Sequence, residues 1–120
     1  MRFFLDTYAL IEIVKGNESY KKYLDHEVFT TLLNLYELYY NILKENDGNK
    51  AKEVFYTFYS LLIRIKDEWI FLASDFKLKN KKNNISYVDA LGYIIATENE
   101  MKFLTGDKEF KSMKNVEFVK

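Results

Sequence analysis

Four acidic residues stand out because each lies where an α/β protein could build a site. Asp6 follows the apolar segment Arg2–Leu5, and Glu37, Asp89 and Asp107 each lie near the end of a predicted helix or strand. Carboxylates about 6 Å apart repel by roughly 3 kcal/mol per pair at an effective dielectric of 20, against a total stability of about 5–15 kcal/mol. A cluster of these acids would therefore bind protons or a cation. Oxygen ligands without His or Cys favour Mg²⁺ or Mn²⁺.

The same acids have purely structural interpretations. Asp6 is a suitable N-cap for a following helix, and Asp107 follows Gly106 as an ordinary turn residue would. Asn34 and Ser86 each stand three residues before an acid, as in a capping box. Residue types alone leave both interpretations open for each acid.

The hydrophobic pattern alternates between strand-like and helix-like segments. Strands are predicted at Arg2–Leu5, Val28–Thr31, Trp69–Leu72, Lys102–Thr105 and Val116–Val119. Helices are predicted at Tyr8–Val14, Asn17–Leu24, Asn34–Asn46, Lys50–Lys66 and Ser86–Asn99. This alternation predicts a single domain over residues 1–120, folded as a three-layer α/β/α sandwich around a mostly parallel five-stranded sheet.

Chain direction predicts where the acids lie. Sites in open α/β sheets form beyond the carboxyl ends of the strands. That rule places Asp6 and Asp107, which follow strands, and Glu37, in the first turn of a predicted helix after a strand, at one edge of the sheet. It leaves Asp89 unplaced, because the helix that carries this residue precedes a strand.

Composition limits the function classes. The chain has no cysteine, which excludes disulfides and thiolate metal sites. The apolar N-terminal run is too short for a signal peptide, and no apolar stretch approaches the roughly 20 residues of a membrane span. A cytoplasmic protein without membrane association is expected.

Charge gives one local hint of a nucleic-acid partner. Lys+Arg and Asp+Glu both number 18, so the net charge is zero and does not indicate a partner. However, Lys77, Lys79, Lys81 and Lys82 cluster without an intervening acid. These lysines are either RNA phosphate contacts or a solvated helix end.

Four short blocks decide among these interpretations. They are Phe4–Thr7, Asn34–Leu38, Ser86–Leu91 and Leu104–Phe110. Their order and spacing resemble the PIN domain family, in particular the small toxin nucleases called VapC. The resemblance implies a parallel sheet flanked by helices, with Asp89 gathered into one cleft with the other acids.

The resemblance also implies an activity. PIN domains hydrolyse RNA phosphodiester bonds with Mg²⁺ or Mn²⁺, and Asp6, Glu37, Asp89 and Asp107 match the catalytic and metal-binding acids of the family. Thr105 matches a hydroxyl position near them. Further accessory positions and RNA contacts are expected at Asn34, Ser86 and Lys108.

Partners are expected on two grounds. Two helices carry a second apolar face beside the first, formed by Tyr36, Tyr40, Leu43, Tyr56, Tyr59 and Ile63. Such faces indicate either a protein interface or deeper burial within the monomer. VapC-like proteins form homodimers and bind an antitoxin, so the resemblance implies both partners.

Three other functions compete with a toxin ribonuclease. The chain could be a PIN nuclease of RNA processing or decay without an antitoxin, or a PIN fold that only binds. A phosphoryl-accepting receiver domain has similar length, but its paired acids after the first strand are missing, since Thr7 follows Asp6.

Overall fold

A computed structural model describes all residues, 1–120. The strands are β1 (Arg2–Leu5), β2 (Glu27–Phe29), β3 (Lys102–Thr105) and β4 (Val116–Phe118). The helices are α1 (Thr7–Val14), α2 (Glu18–Lys21), α3 (Leu32–Leu43), α4 (Gly48–Thr57), α5 (Asp67–Lys79) and α6 (Tyr87–Glu98). Short 3-10 turns occupy Lys22–Asp25, Tyr59–Leu61 and Lys108–Phe110. No helix is both long and apolar enough to cross a membrane.

The four strands form one fully parallel sheet in the order β2-β1-β3-β4. In the centre, Leu5 of β1 lies opposite Leu104 of β3. Thr105 at the end of β3 lies opposite Phe118 of β4. Because all strands run the same way, their carboxyl ends share one edge of the sheet, which is called the carboxyl edge below.

Side chains of the central strands point alternately to the two faces of the sheet, and each face is packed in its own hydrophobic core. Phe3 and Leu5 point to the core packed by α1, α2, α3 and α4. Phe4 points to the opposite face and joins Phe103 in the core packed by α5 and α6. This period of two is that of a strand buried on both faces. The predicted α/β sandwich with a parallel sheet is therefore confirmed, although the sheet has four strands instead of five.

The missing fifth strand is the one predicted at Trp69–Leu72, and that prediction is wrong. These residues lie within helix α5, where Trp69 and Ala73 are the buried positions. A spacing of four residues puts both on one face of a helix. A short apolar run does not distinguish a strand from a buried helix turn.

The predicted helix Lys50–Lys66 is also too long. Helix α4 ends at Thr57, and the chain then makes a 3-10 turn and becomes extended. The backbone of Thr30 pairs with this extended segment, since Thr30 N donates to Leu61 O at 3.1 Å and Ile63 N donates to Thr30 O at 2.9 Å. The hydrogen bonds to Thr30, just after β2, therefore take the place of the helical hydrogen bonds that a longer α4 would have made.

A glycine sets the distance between α6 and the sheet. A Cβ atom at Gly92 would lie 2.6 Å from a ring carbon of Phe4 and 3.2 Å from one of Phe103. Only a residue without a side chain allows this close approach. The helix that carries Asp89 is thereby held against the two central strands.

Candidate active site

Asp6 is the most deeply buried of the four predicted acids, with 1% of its surface exposed. It directly follows β1 and caps α1, because its Oδ1 accepts a hydrogen bond from Ala9 N at 2.8 Å. Its Oδ2 accepts a hydrogen bond from the Thr105 hydroxyl. One oxygen is therefore fixed by the first turn of α1 and the other by the end of β3.

The environment of Asp6 disfavours its charged form. Burial raises the pKa of Asp6 to about 8, although the hydrogen bonds from Thr105 and Ala9 act in the opposite direction. The negative charges of Asp89 and Asp107 raise this pKa further. These two acids therefore lie close enough to Asp6 to repel it.

Thr105 connects two of the acids. Its hydroxyl donates to Asp6 and accepts a hydrogen bond from Asp107 N at 3.0 Å. Asp107 in turn caps the following 3-10 turn, since its Oδ1 accepts from Glu109 N at 3.0 Å. Gly106, between Thr105 and Asp107, lies in a crowded place, because a Cβ atom there would be 2.6 Å from Val119 O.

Glu37 is held by a chain of polar side chains that runs from the start of α1 to the segment after β2. Thr7 Oγ1 donates to Glu37 Oε1 at 2.6 Å, and Asn34 Nδ2 donates to Thr7 Oγ1 at 3.1 Å. The Thr31 hydroxyl donates to Asn34 Oδ1 at 2.6 Å. Thr7 was not predicted as a site residue, although a hydroxyl next to Asp6 is a signal that could have identified it.

The start of α3 differs from the prediction. Thr31 is the N-cap, because its Oγ1 accepts from Asn34 N at 3.3 Å. Asn34 is therefore a buried residue inside the first turn and is not the cap. Glu37 consequently lies in the second turn of α3, and the predicted placement in the first turn is wrong.

Asp89 lies in the first turn of α6, which Ser86 caps by accepting from Asp89 N at 3.1 Å. Burial raises the pKa of Asp89 to about 6, and its hydrogen bond to Ser86 acts in the opposite direction. The charges of Asp107 and Glu37 raise this pKa further. Asp89 thus interacts with one acid that follows β3 and with another on α3.

Two contacts explain why Asp89 reaches this edge. Asn84 N donates to Glu109 Oε1 at 3.1 Å, which holds the segment before α6 beside the turn after β3. At the other end of α6, Arg2 Nη1 donates to Asn99 O at 2.9 Å. Helix α6 therefore runs from the carboxyl edge to the opposite edge, antiparallel to the strands.

The four acids form one electrostatically coupled group, but no three of them are close enough to hold one metal ion in this arrangement. Their chemistry fits Mg²⁺ or Mn²⁺, because every donor is an oxygen. Burial raises the pKa values of Asp6 and Asp89, and the neighbouring acids raise them further, so the protein alone disfavours the ionised forms of both carboxyl groups. An ion at this edge would have to draw the side chains together.

The predicted RNA-contact lysines belong to two parts of the chain, the end of α5 with the loop after it and the turn after β3. The Lys77 ammonium already has partners within the protein, since its Nζ donates to Ile85 O at 2.6 Å and lies 4.8 Å from the ring centroid of Tyr87. The remaining lysines are exposed on α5, in the following loop or in the turn after β3, at Lys79, Lys81, Lys82 and Lys108. Their contact with RNA stays a prediction.

A parallel sheet with coupled acids at its carboxyl edge defines a class of α/β proteins with a candidate cation site. The PIN domain family matches residues 3–116, and the chain belongs to this family. Members of the family are typically nucleases that use divalent metals. A search of curated proteins found no match.

Solved structures support the same fold at low sequence identity. The chain is similar to VapC20 of Mycobacterium tuberculosis, a toxin that cleaves the sarcin–ricin loop, with a TM-score of 0.79, 14% identity, and coverage of 98% of this chain and 96% of that one. It is also similar to VapBC2 of Rickettsia felis bound to a promoter DNA fragment, with a TM-score of 0.75, 22% identity, and coverage of 99% and 98%. A toxin–antitoxin complex from Klebsiella pneumoniae gives a TM-score of 0.74, 19% identity, and coverage of 95% and 94%.

Proposed function

We propose that this chain is a Mg²⁺- or Mn²⁺-dependent endoribonuclease that hydrolyses RNA phosphodiester bonds, and that it is the toxin of a toxin–antitoxin pair. The observation that carries the proposal is the placement of Asp6, Asp89 and Asp107 at the carboxyl edge, where the Thr105 hydroxyl joins Asp6 to the backbone of Asp107 and the charges of Asp89 and Asp107 help to raise the pKa of Asp6. Membership of the PIN family supports the same activity.

Each acid has a proposed role. Asp6, Asp89 and Asp107 would hold the cation, and Glu37 would complete the ligand set or orient the attacking water. A bound divalent ion supplies polarisation of the phosphoryl group and activation of water at neutral pH. The expected products carry a 5′-phosphate and a 3′-hydroxyl.

The hydroxyl residues position these acids. The Thr105 hydroxyl fixes one Asp6 oxygen and the backbone of Asp107, so it sets the distance between two proposed ligands. The Thr7 hydroxyl fixes one oxygen of Glu37 and leaves the other oxygen free for water or a cation. Outer hydrogen-bond partners of this kind orient metal ligands in many sites.

The assay is cleavage of RNA by the purified chain with Mg²⁺, Mn²⁺ or EDTA. Asp6→Asn keeps the oxygen that caps α1 but cannot ionise, so the fold should survive while cleavage is abolished. Asp89→Asn should have the same effect. Asp25→Asn is the matched control, because Asp25 is exposed and precedes β2, at the opposite edge of the sheet. Full activity in Asp6→Asn would rule out this site.

The toxin role has its own test. Similarity to toxin–antitoxin complexes supports an antitoxin partner, and a homodimer is proposed with it. Expression of the chain alone should arrest growth, and co-expression of the product of a short adjacent reading frame should restore it. Cleavage without growth arrest would instead favour an RNA-processing nuclease.

A further inference from the structure

The backbone of Val119, just after β4, is hydrogen-bonded to two other elements. Val119 N donates to Thr105 O at 2.9 Å, and Val119 O accepts a hydrogen bond from the Tyr20 hydroxyl at 2.5 Å. Because β4 is an edge strand that pairs only with β3, the Tyr20 hydroxyl gives the end of this strand a second anchor. Helix α2 is thereby joined, through Val119, to the end of β3.

Tyr20 is firmly held for this contact. Its side chain is fully buried and packs in the same core as α1, α3 and α4. Burial raises the pKa of Tyr20, and the negative charge of Asp6 raises it further, so the hydroxyl keeps its proton and stays a donor. The hydroxyl of a buried tyrosine usually has a hydrogen-bond partner. Here that partner is a backbone carbonyl, although Tyr20 lies close enough to Asp6 to be affected by its charge.

The Val119 carbonyl lies directly against the backbone of Gly106. A Cβ atom at Gly106 would lie 2.6 Å from Val119 O and would also overlap the ring of Tyr8. Only a residue without a side chain fits between these two groups. Because Gly106 connects Thr105 to Asp107, the position of Val119 O limits where the backbone of Asp107 can lie.

We propose that Tyr20 is a positioning residue of the cation site, because its hydrogen bond to Val119 O holds the turn at Gly106 in place. This turn carries Asp107, a proposed ligand, and it begins at the residue whose hydroxyl holds Asp6. Mg²⁺ demands near-ideal ligand geometry, so a shift of the turn by about 1 Å would weaken the site. The inference rests on the proposed function and adds a residue that acts through its neighbours, without contacting the ion or the RNA.

The test removes one hydroxyl and leaves the buried ring, in the variant Tyr20→Phe. Tyr23→Phe is the matched control, because Tyr23 is also buried and its hydroxyl also donates to β4, but to the side-chain Oε2 of Glu117 at 2.7 Å. Mn²⁺ binding is measured from the electron paramagnetic resonance signal of the free ion, and RNA cleavage is followed over a Mn²⁺ titration. Amide hydrogen exchange of Val119 and Asp107 is measured by NMR without metal.

Tyr20→Phe should weaken Mn²⁺ binding by about 10-fold, the lower end of the range for residues that support metal ligands. The KM for RNA at saturating Mn²⁺ should stay within about twofold of wild type, because a buried hydroxyl makes no contact with substrate. Exchange of the Val119 and Asp107 amides should quicken by about fivefold, the effect of one lost hydrogen bond on local opening. Tyr23→Phe should lose similar stability in urea unfolding, but its Mn²⁺ affinity and these exchange rates should change by less than about twofold.

The outcomes separate this inference from the proposed function. If the wild type cleaves RNA and Tyr20→Phe binds Mn²⁺ as tightly as the wild type does, Tyr20 is only a core residue, and the inference is overturned while the ribonuclease stands. An equal loss of Mn²⁺ affinity in Tyr23→Phe would also overturn it. If the wild type neither binds Mn²⁺ nor cleaves RNA, the proposed function fails, and hydrogen exchange at Val119 and Asp107 still decides whether Tyr20 holds the turn.

Discussion

Raising the pH without divalent metal should destabilise the folded chain, chiefly through Asp6. Burial raises the pKa of Asp6 from 3.8 to about 8, so the folded state keeps a proton that the unfolded state has released. The stability linked to this proton is fully present below about pH 4 and is lost as the pH rises towards about 8. At about 1.4 kcal/mol per pH unit, the free energy of unfolding should fall by about 4 kcal/mol between pH 5 and pH 8. Asp89 also loses stability as the pH rises, and its contribution is lost by about pH 6, near its raised pKa.

The measurement is urea unfolding in EDTA, followed by far-UV circular dichroism, at several pH values in this range. Asp6→Asn cannot ionise, so its stability should decline much less with pH than that of the wild type. Asp25→Asn should follow the wild type. The difference between the wild type and Asp6→Asn in how the free energy of unfolding changes with pH isolates the contribution of Asp6, because every other group titrates in both proteins. Parallel decline of the two would refute the argument.

Adding Mn²⁺ at about pH 8 should recover part of this loss in the wild type. A ligand that binds only the folded state at a hundredfold excess over its Kd stabilises it by about 2.7 kcal/mol. The same addition should leave Asp6→Asn nearly unchanged, because that variant lacks a proposed ligand. Equal stabilisation of both proteins would show that the ion binds elsewhere.

Three further predictions concern residues that hold the site in place. Thr105→Val removes the hydroxyl that fixes Asp6 and should lower metal affinity or cleavage by about 10- to 100-fold, with Thr105→Ser close to wild type in a metal-titrated cleavage assay. Thr7→Val frees Glu37 and should lower kcat in the same assay, while unchanged kcat would deny Glu37 a positioned role. Gly92→Ala forces an overpacked contact with the sheet and should cost about 1–3 kcal/mol in urea unfolding, and an unchanged midpoint would show that α6 can shift freely.

Strands β1, β3 and β4 could be predicted because their apolar runs are short, β-rich and bounded by polar residues. Helix α5 could not be identified from Trp69–Leu72 alone, although charge gave a signal. Asp67 and Glu68 lie in its first turn, and Lys77 and Lys79 lie in its last turn, which is the arrangement favoured by the helix dipole. The charges beyond the apolar run indicate a helix more clearly than the run itself.

The end of α4 could not be predicted because its cause is not local. Leu61 and Leu62 continue the helical spacing of Val54 and Phe58, and no glycine interrupts them. What ends the helix is backbone pairing with Thr30, a residue about thirty positions away. Tertiary hydrogen bonds of this kind override local propensity.

Asp89 is the one acid that the rule for residues following strands leaves unplaced, but the direction of its helix does place it. A helix that leads into a parallel strand must return the chain to the amino end of the sheet, so it must begin at the carboxyl edge. The contact of Arg2 with Asn99, at the far end of α6, shows this path. The position of Asp89 thus follows from the same parallel topology that places Asp6 and Asp107.

Capping and metal binding are compatible roles for these acids, although the residue types presented them as alternatives. Asp6 caps α1, Asp107 caps the 3-10 turn, and Asp89 lies in the first turn of α6. In a parallel α/β fold, the helices that follow or precede the strands in this way begin at the carboxyl edge. Their unpaired N–H groups carry partial positive charge, which favours nearby carboxylates. Burial outweighs this stabilisation at Asp6 and Asp89, as their raised pKa values show. The fold therefore gathers the acids by capping and disfavours the ionised forms of Asp6 and Asp89, so that a proton or a cation must accompany these two carboxyl groups.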